Sequence, residues 1–171
     1  PPGALITLWK KDSKFKESYL DIFPGYYFTG DGGYFDKDGY LYIMGRVDDA
    51  IHIAGQRLST GRMEEVIAKH PDVAECAVTG CAEGLPLGFV VLKSDVKRDP
   101  DRIIREIVQM VGDQIGMFAC LKQAVVVKRL PKTRSGKILR GTMRKIVDGK
   151  KYNIPSTIDD PTVLKEIEKA V

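Results

Sequence analysis

The chain has 171 residues, of which 43% are hydrophobic and 29% are charged, and its formal net charge is +4. This balance is typical of a folded domain with an attached segment and excludes a disordered chain. No stretch approaches the roughly 20 apolar residues of a membrane-spanning helix. Residues 1–3 resemble a cut inside a longer polypeptide, so we expect any targeting segment to lie outside this sequence.

Residues 1–47 predict a connector followed by a β-hairpin. A short helix is expected at 12–20, and the pattern changes to strands from Tyr26 onward. The Asp38-Gly39 pair between two aromatic-rich runs is the main hairpin signal. The sequence predicts strands at 27–29, 34–35 and 40–44, with turns at 30–33 and 36–39.

From about residue 50 the predicted order is hairpin, helix, strand, strand, helix, strand, helix. Pro71 ends the first of these helices, and Asp99 and Pro100 begin the second as N-cap and first helical residue. The economical arrangement is class α+β, a small mixed sheet with about three packed helices. The segments are expected at 51–58, 60–70, 73–79, 87–92, 99–111, 124–127 and 138–148.

The cysteines and histidines give no metal pattern. Cys76, Cys81 and Cys120 contain no CxxC pair, and His52 and His70 are the only histidines. A structural zinc site needs four such ligands at suitable spacing, so we predict no metal site in this chain. Thiols without a disulfide framework favour a reducing compartment.

Residues 121–151 carry most of the excess positive charge. This segment has one acidic residue, Asp148, and its cluster suits an anionic partner such as a nucleotide, pyrophosphate, CoA or nucleic acid. A solvated helix face explains most of these charges equally well. The basic residues are Lys122, Lys128, Arg129, Lys132, Arg134, Lys137, Arg140, Arg144, Lys145, Lys150 and Lys151.

Within that segment, Ser135-Gly136-Lys137 invites comparison with a phosphate-binding P-loop. The comparison fails because a P-loop has glycine where Pro131 stands and Ser or Thr where Ile138 stands. What remains is a flexible basic loop that presents Lys137 at a helix start. A lysine ammonium suits developing charge on a phosphoryl or carboxylate group, although residue type alone favours a solvated lysine.

Three further residues are candidates for nucleotide contacts. Asp31 lies in a glycine-rich turn after a predicted strand, and its two carboxylate oxygens suit a ribose diol. Arg46 and Arg57 lie near glycines, which let the backbone approach a ligand closely. Read singly, Asp31 is better explained as a turn residue and each arginine as a surface residue.

Four motifs, taken together and in order, favour functional roles for these residues over turn or surface roles. The motifs are YFTGD at 27–31, GRVDD at 45–49, AGQRL at 54–58 and PKTRSGKILR at 131–140. Together they resemble the C-terminal motif series of the adenylate-forming enzymes, which include acyl-CoA synthetases, peptide-synthetase adenylation domains and luciferases. The later STIDDP at 156–161 is similar to the C-terminal extension of acetyl- and propionyl-CoA synthetases. The resemblance covers essentially the whole chain.

The resemblance implies an AMP-forming acyl-CoA synthetase. Its substrates would be a small carboxylate, ATP with its Mg²⁺, and CoA, and AMP would be released after an acyl-adenylate intermediate. It implies that the residue matching Asp31 binds the ribose hydroxyls, that the Arg46 match contacts the nucleotide, and that the Arg57 match contacts the ATP phosphates. Neither a nucleic-acid partner nor a membrane span is expected.

The resemblance also implies moving parts. The match to Asp48 is a hinge, the match to Gly55 lies beside the CoA channel, and the match to Lys137 enters the active site for adenylation and swings out afterwards. Residues 1–47 would be the tail of a large adenylation domain and 48–171 a mobile C-terminal domain. The fragment alone is expected to be inactive, and the compartment would be the cytoplasm or the mitochondrial matrix.

Two departures from the family leave other readings open. Gly112 stands where an arginine that binds a CoA phosphate is expected, and the 80–87 loop is short. These keep open an adenylation domain that loads a carrier-protein thiol. A basic nucleic-acid-binding module is the other alternative, although Tyr152 is the only aromatic residue near the basic segment that could stack on a base.

Overall fold

The computed structural model describes residues 3–53, 56–82, 84–116, 121 and 123–171. It divides into two compact units, an N-terminal unit (Pro1–Asp48) and a C-terminal unit (Asp49–Val171). Each unit is described by itself.

The N-terminal unit contains one helix and one β-hairpin. Helix α1 spans Asp12–Tyr19, close to its predicted position, and strands β1 (Asp31–Phe35) and β2 (Leu41–Arg46) pair antiparallel. The predicted turn between the strands is present: Asp36 Oδ1 accepts hydrogen bonds from the backbone N–H groups of Asp38 and Tyr40, both at 2.9 Å. An aspartate that binds its own backbone in this way fixes a tight turn.

The start of this hairpin differs from the prediction. Residues 27–29 form no strand, and Asp31 is the first residue of β1 rather than part of a turn. Gly33 lies inside β1. A Cβ at this position would stand only 2.6 Å from the carbonyl oxygen of Tyr42, so a larger residue would not fit there. Gly33 therefore permits close approach of the two strands rather than chain reversal.

The C-terminal unit has the predicted α+β organisation. A short hairpin, β3 (Ile51–Ile53) and β4 (Gln56–Leu58), precedes a three-stranded sheet in the order β5-β6-β7, with β5 antiparallel and β7 parallel to β6. The other elements are α2 (Thr60–Ile67), β5 (Val73–Gly80), β6 (Pro86–Leu92), α3 (Pro100–Ile115), β7 (Gln123–Val126), α4 (Arg140–Val147) and α5 (Thr162–Ala170).

Helix boundaries follow from local capping chemistry. Asp99 caps α3 by accepting from the backbone of Asp101 at 3.2 Å, and Pro100 occupies the first helical position as predicted. Ser59 caps α2 by accepting from the backbone N–H of Arg62 at 3.3 Å. Helix α5 is an addition to the prediction, and its buried stripe is Val163, Leu164 and Ile167.

Each face of the three-stranded sheet covers its own apolar cluster. Val78 and Val90 belong to the cluster with α2 and α3, whereas their sequence neighbours Ala77 and Phe89 belong to the cluster with α4 and α5. This alternation follows from the two-residue repeat of a β-strand. The sheet is therefore buried on both sides, and none of the helices in the described ranges is long and apolar enough to cross a membrane.

Candidate functional site

The N-terminal unit brings three of the candidate residues together around the Arg46 guanidinium. Arg46 Nε donates to Asp48 Oδ1 at 2.9 Å, and Arg46 Nη1 lies 3.7 Å from Asp31 Oδ1. Arg46 Nη1 also donates to the carbonyl oxygen of Thr29 at 2.7 Å. Because Asp31 and Arg46 are direct partners in the β1–β2 register, the strand pairing itself sets this arrangement.

Gly30 is required by this arrangement. Its φ is +78°, and a Cβ at this position would lie 2.6 Å from Arg46 Nη2. The carbonyl oxygen of Gly30 accepts from the N–H of Val47 at 2.8 Å, which extends the strand pairing past Arg46. The absence of a side chain at Gly30 therefore lets the Arg46 guanidinium approach the backbone beside Asp31. Asp48, which also contacts Arg46, is the last residue of the N-terminal unit.

Lys137 lies in the C-terminal unit on a hydrogen-bonded turn, which we name the Lys137 hairpin (residues 131–139). The N–H of Leu139 donates to the carbonyl oxygen of Pro131 at 2.9 Å, and that of Thr133 donates to the carbonyl oxygen of Lys137 at 2.9 Å. Thr133 Oγ1 accepts from the N–H of Lys137 at 3.1 Å. The side chain of Lys137 is exposed at this tip.

Backbone hydrogen bonds pair the two ends of residues 131–139. The prediction that the helix begins near Ile138 is wrong, since α4 begins at Arg140. The reason is that Ile138 pairs with Lys132 in the hairpin, so it has extended rather than helical backbone. Lys137 is presented by the return strand of a hairpin.

Arg140 anchors the far end of the hairpin and was not identified from the sequence as a structural residue. Its Nε and Nη2 atoms contact both carboxylate oxygens of Glu64 on α2, at 2.9 and 2.8 Å. Glu64 Oε1 also accepts from the N–H of Val78 at 2.8 Å. This bidentate, half-buried pair joins the start of α4 to α2 and β5. Glu64 and Arg140 are too far apart in sequence for any local pattern to reveal the contact.

Ion pairs account for part of the basic segment. Lys122 lies outside the described residues, and four other members of the segment pair with acids elsewhere in the C-terminal unit or beside them in sequence. Nearby carboxylates therefore neutralise part of the positive charge of this segment. The pairs are Arg129 with Asp160 and Glu166, Lys132 with Glu75, Arg140 with Glu64, and Lys150 with Asp148.

Two candidates fall wholly or partly outside the described structure. Gly55, expected beside the CoA channel, lies outside the described residues. Arg57 is in β4 opposite His52, and its side chain is likewise outside them. Gly112, one of the two departures from the family, is within α3. The other departure, the short loop after β5, is closed by two hydrogen bonds at 2.9 Å: Cys81 N–H donates to the Leu85 carbonyl oxygen, and Gly84 N–H donates to the Cys81 carbonyl oxygen.

Cys76 and Cys81 are free cysteines in the described ranges, and the environment of Cys76 disfavours its thiolate. Burial, followed by the nearby Glu64 carboxylate, raises the pKa of the Cys76 thiol to about 11, so this residue is not a thiolate near neutral pH. Cys120 lies outside the described residues. Among the residues that are described, no group of three or more His, Cys, Asp and Glu side chains is arranged to hold a metal ion.

Comparison with known proteins gives matches along the whole chain. Residues 62–137 match the family described as AMP-binding enzyme C-terminal domain. The chain is 57% identical over 175 residues to an uncharacterized protein of Pseudomonas aeruginosa, covering 100% of this chain and 28% of that protein. It is 49% identical over 173 residues to human acyl-CoA synthetase short-chain family member 3, mitochondrial, covering 99% of this chain and 25% of that protein.

A solved structure gives the same correspondence. The anthranilate CoA ligase AuaEII in complex with anthranoyl-AMP superposes with a TM-score of 0.73 at 29% sequence identity, covering 85% of this chain and 28% of that one. The chain therefore spans about a quarter of the length of the curated relatives that it matches.

Proposed function

Because the chain carries an AMP-binding enzyme C-terminal domain at residues 62–137, we propose that it is the C-terminal part of an AMP-forming acyl-CoA synthetase. The full-length protein would activate a short-chain carboxylate with ATP and transfer the acyl group to CoA. The observation that carries this proposal is Lys137, an exposed ammonium on an ordered hairpin at the end of the matched region.

The proposed reaction has two steps. A carboxylate oxygen attacks the α-phosphorus of ATP, the bond to the bridging oxygen breaks, and pyrophosphate leaves with its electron pair. The CoA sulfur then attacks the acyl carbon, the acyl–oxygen bond breaks, and AMP leaves while the thiol proton is released. Mg²⁺ enters with ATP as part of the substrate.

Lys137 would act in the first step only. Negative charge is redistributed among the carboxylate, the α-phosphate and pyrophosphate as the bond forms. A positioned ammonium in a site that excludes water stabilises that charge far more than it would in bulk solvent. The hydrogen bonds at the base of the Lys137 hairpin support this role because they limit where the ammonium can lie.

Three residues would contact the nucleotide. Asp31 offers carboxylate oxygens to the ribose hydroxyls, and Arg46 and Arg57 offer guanidinium groups to the nucleotide and its phosphates. The contacts of Arg46 with Asp31 and Asp48 support this assignment, because they orient the guanidinium beside the carboxylate that would take the ribose.

The two half-reactions would use two orientations of residues 48–171, with Asp48 as the hinge and Gly55 brought to the CoA channel in the second. A hinge of this kind lets one pocket serve two chemistries in turn. The division of the chain after Asp48 supports the boundary. The compartment would be the cytoplasm or the mitochondrial matrix; the human relative named above is mitochondrial.

The partner of the N-terminal unit would be the large adenylation domain of the same protein. Within the described residues 3–48, Phe15 is the only buried hydrophobic side chain, while most large apolar residues are exposed, including Trp9 at 85% and Phe35 at 70%. Exposed apolar surface of this extent marks a region that packs against further protein.

Lys137→Ala in the full-length enzyme tests the proposal. We expect adenylation, measured as exchange of labelled pyrophosphate into ATP, to slow by about 10²–10³-fold, the usual cost of removing one positioned electrostatic group. Thioester formation from supplied acyl-adenylate should be unchanged in this variant. It is measured with CoA and with a phosphopantetheinyl carrier protein as acceptors, and we expect CoA to be the preferred acceptor.

Lys145→Ala is the matched control, since Lys145 is an exposed lysine on α4 of the same basic segment. It should leave both half-reactions unchanged. Equal effects of the two substitutions, or equal loss of both half-reactions in Lys137→Ala, would contradict the assignment. Preference for the carrier protein would show that CoA is not the acceptor.

A further inference from the structure

Residues 156–160, from a later part of the chain, pair with the Lys137 hairpin through one isolated β-bridge, and we name this segment the third strand of the hairpin. Ile158 pairs antiparallel with Thr133. The N–H of Arg134 donates to the carbonyl oxygen of Thr157 at 3.0 Å, and the N–H of Asp159 donates to the carbonyl oxygen of Lys132 at 2.9 Å. Backbone bonds on both sides of Ile158 therefore attach residues 156–160 to the outgoing strand of the hairpin.

The side chain of Ile158 fixes this strand to the core. It is 6% exposed and belongs to the apolar cluster that contains Leu130 and Met143. Ile138 and Leu139, from the return strand of the hairpin, pack against the same cluster. Burial of an isoleucine side chain usually stabilises more than one net hydrogen bond does. The side chain of Ile158 therefore adds to the backbone bonds that attach this segment to the hairpin.

A charged contact holds the end of the same segment. Arg129 Nη1 lies 2.7 Å from Asp160 Oδ2, and Arg129 Nη2 lies 2.6 Å from Glu166 Oε1 on α5. The other oxygen of Asp160 accepts from the N–H and the hydroxyl of Thr162, at 2.9 and 2.6 Å. Because Arg129 shortly precedes Pro131, the entry to the hairpin and the exit of the 156–160 segment are tied to each other.

The tip of the hairpin has less support of its own. Residues 134–136 are exposed, and no atom lies within 4 Å of the position that a Cβ on Gly136 would take. The place of Lys137 is therefore set at the base of the hairpin, by the Arg140–Glu64 pair on one side and by the 156–160 segment on the other.

We propose that residues 156–160 are a positioning element for Lys137, which hold the hairpin as its third strand so that the ammonium meets the reacting phosphate. This inference rests on the proposed role of Lys137 in adenylation. It assigns to the 156–160 segment an effect on the first half-reaction, beyond its contribution to stability.

The test compares Ile158→Ala with Ile167→Ala in the full-length enzyme. Ile167 is 0% exposed on α5 in the same apolar cluster, so both substitutions remove the same buried atoms. We expect Ile158→Ala to lower the kcat of adenylation by up to about 100-fold, the cost of misplacing a catalytic group by about 1 Å. Ile158→Ala should leave thioester formation from acyl-adenylate unchanged. Ile167→Ala should leave both half-reactions unchanged below the unfolding temperature of that variant. Ile158→Val, which keeps most of the buried side chain, should have nearly normal adenylation.

The inference fails if Ile158→Ala leaves adenylation unchanged, lowers both half-reactions equally, or is matched by Ile167→Ala. Lys137→Ala is measured in the same assays to separate this failure from that of the proposed function. Loss of adenylation in Lys137→Ala but not in Ile158→Ala overturns only the positioning role. Normal adenylation in Lys137→Ala overturns the proposed function.

Hydrogen exchange of the unsubstituted enzyme gives an answer that does not depend on any variant folding. The amides of Arg134 and Asp159 donate across the third strand, whereas the amide of Thr133 donates within the hairpin. We expect all three to be protected together. Free exchange at Arg134 and Asp159 with protection at Thr133 would show that the third strand is not attached, and would overturn the inference.

Discussion

The two units of the chain use their apolar residues in opposite ways. In the C-terminal unit, side chains such as Met63, Phe89 and Ile107 are 0% exposed and form clusters on both faces of one sheet. In the described part of the N-terminal unit, only Phe15 is buried among the hydrophobic residues, and both faces of the hairpin expose large apolar side chains such as Ile43 and Tyr42.

This difference teaches that the two units differ in how much of their stability can come from their own apolar packing. The C-terminal unit buries enough apolar surface to have its own core. The N-terminal unit has a hairpin and one helix, and an isolated hairpin is marginal in water. The candidate nucleotide residues Asp31 and Arg46 therefore lie on the unit with little buried apolar surface, whereas Lys137 lies on the unit with a core of its own.

The largest expected effect compares one isoleucine from each unit. Ile107→Ala should destabilise the C-terminal unit by about 2–5 kcal/mol, because a fully buried side chain leaves a cavity. Ile43 is 59% exposed, so Ile43→Ala should change the stability of this chain by no more than about 0.5 kcal/mol. Urea unfolding measures both.

The same pair in the full-length protein sharpens the comparison. If the N-terminal unit packs against a large domain there, Ile43→Ala should become destabilising by more than it is in this chain. A value for Ile43→Ala that is equally small in both contexts would contradict a docked hairpin.

The next effect concerns nucleotide binding by the N-terminal unit. Asp31→Ala in the full-length enzyme should weaken ATP binding by about 1.5–3 kcal/mol, the cost of a lost hydrogen bond to a charged group. Loss of the exposed contact with Arg46 alone would cost at most about 1 kcal/mol. Calorimetric titration with ATP measures the change, and Asp38→Ala, an exposed aspartate on the same hairpin, is the control. Unchanged affinity would make Asp31 a structural residue only.

A smaller effect is expected at the boundary between the units. Asp48→Pro fixes φ and removes a backbone donor, so it should trap one orientation of the C-terminal unit. One half-reaction should fall by about tenfold more than the other, which corresponds to about 1.4 kcal/mol. Asp48→Ala removes the contact with Arg46 Nε but leaves the backbone free, so it should not separate the half-reactions. Equal losses in Asp48→Pro would exclude a hinge at this residue.

The smallest effect is a pH dependence confined to the C-terminal unit. Arg98, with His70 and Arg102, lowers the pKa of Glu106 from 4.5 to about 2. Since the depressed pKa belongs to the folded state, the stabilisation from Glu106 is complete above pH 4.5 and is lost as the pH falls toward 2. His70 Nδ1 accepts from the N–H of Asp72, so its Nε2–H donates to Glu106.

Acid unfolding of Glu106→Gln checks this dependence. The difference in unfolding free energy between the unsubstituted chain and this variant should grow with pH between about 2 and 4.5 and then stay constant. Arg98→Gln should weaken the same dependence, because it removes the largest cause of the lowered pKa. A difference that does not vary with pH would show that Glu106 is not held by Arg98.

Local sequence signals predicted most of the C-terminal unit. Asp99 and Pro100 gave the start of α3 because capping depends on adjacent residues, and the Asp36 turn followed from the same kind of local chemistry. The α+β class and the family resemblance are confirmed by the sheet with its helices and by the match over residues 62–137.

Contacts between distant residues could not be predicted in this way. Ile138 was expected to be helical, but its pairing with Lys132 and the packing of Ile158 beside them decide its backbone. Gly33 was read as a turn residue because glycine has two uses, and the close approach of Tyr42 is visible only once the strands are paired. Among the candidate site residues, Asp31, Arg46 and Asp48 do lie together, and the functional roles of all the candidates remain predictions.

The third strand of the Lys137 hairpin also sets an order on biosynthesis. A ribosome makes residues 131–139 before residues 156–160, so the nascent chain first holds only a two-stranded hairpin, which is marginal in water. A messenger RNA truncated between these two segments would encode the lysine and both flanking strands but not the strand that completes them. We therefore expect the unit that carries Lys137 to reach its full stability only after residue 160 has been translated.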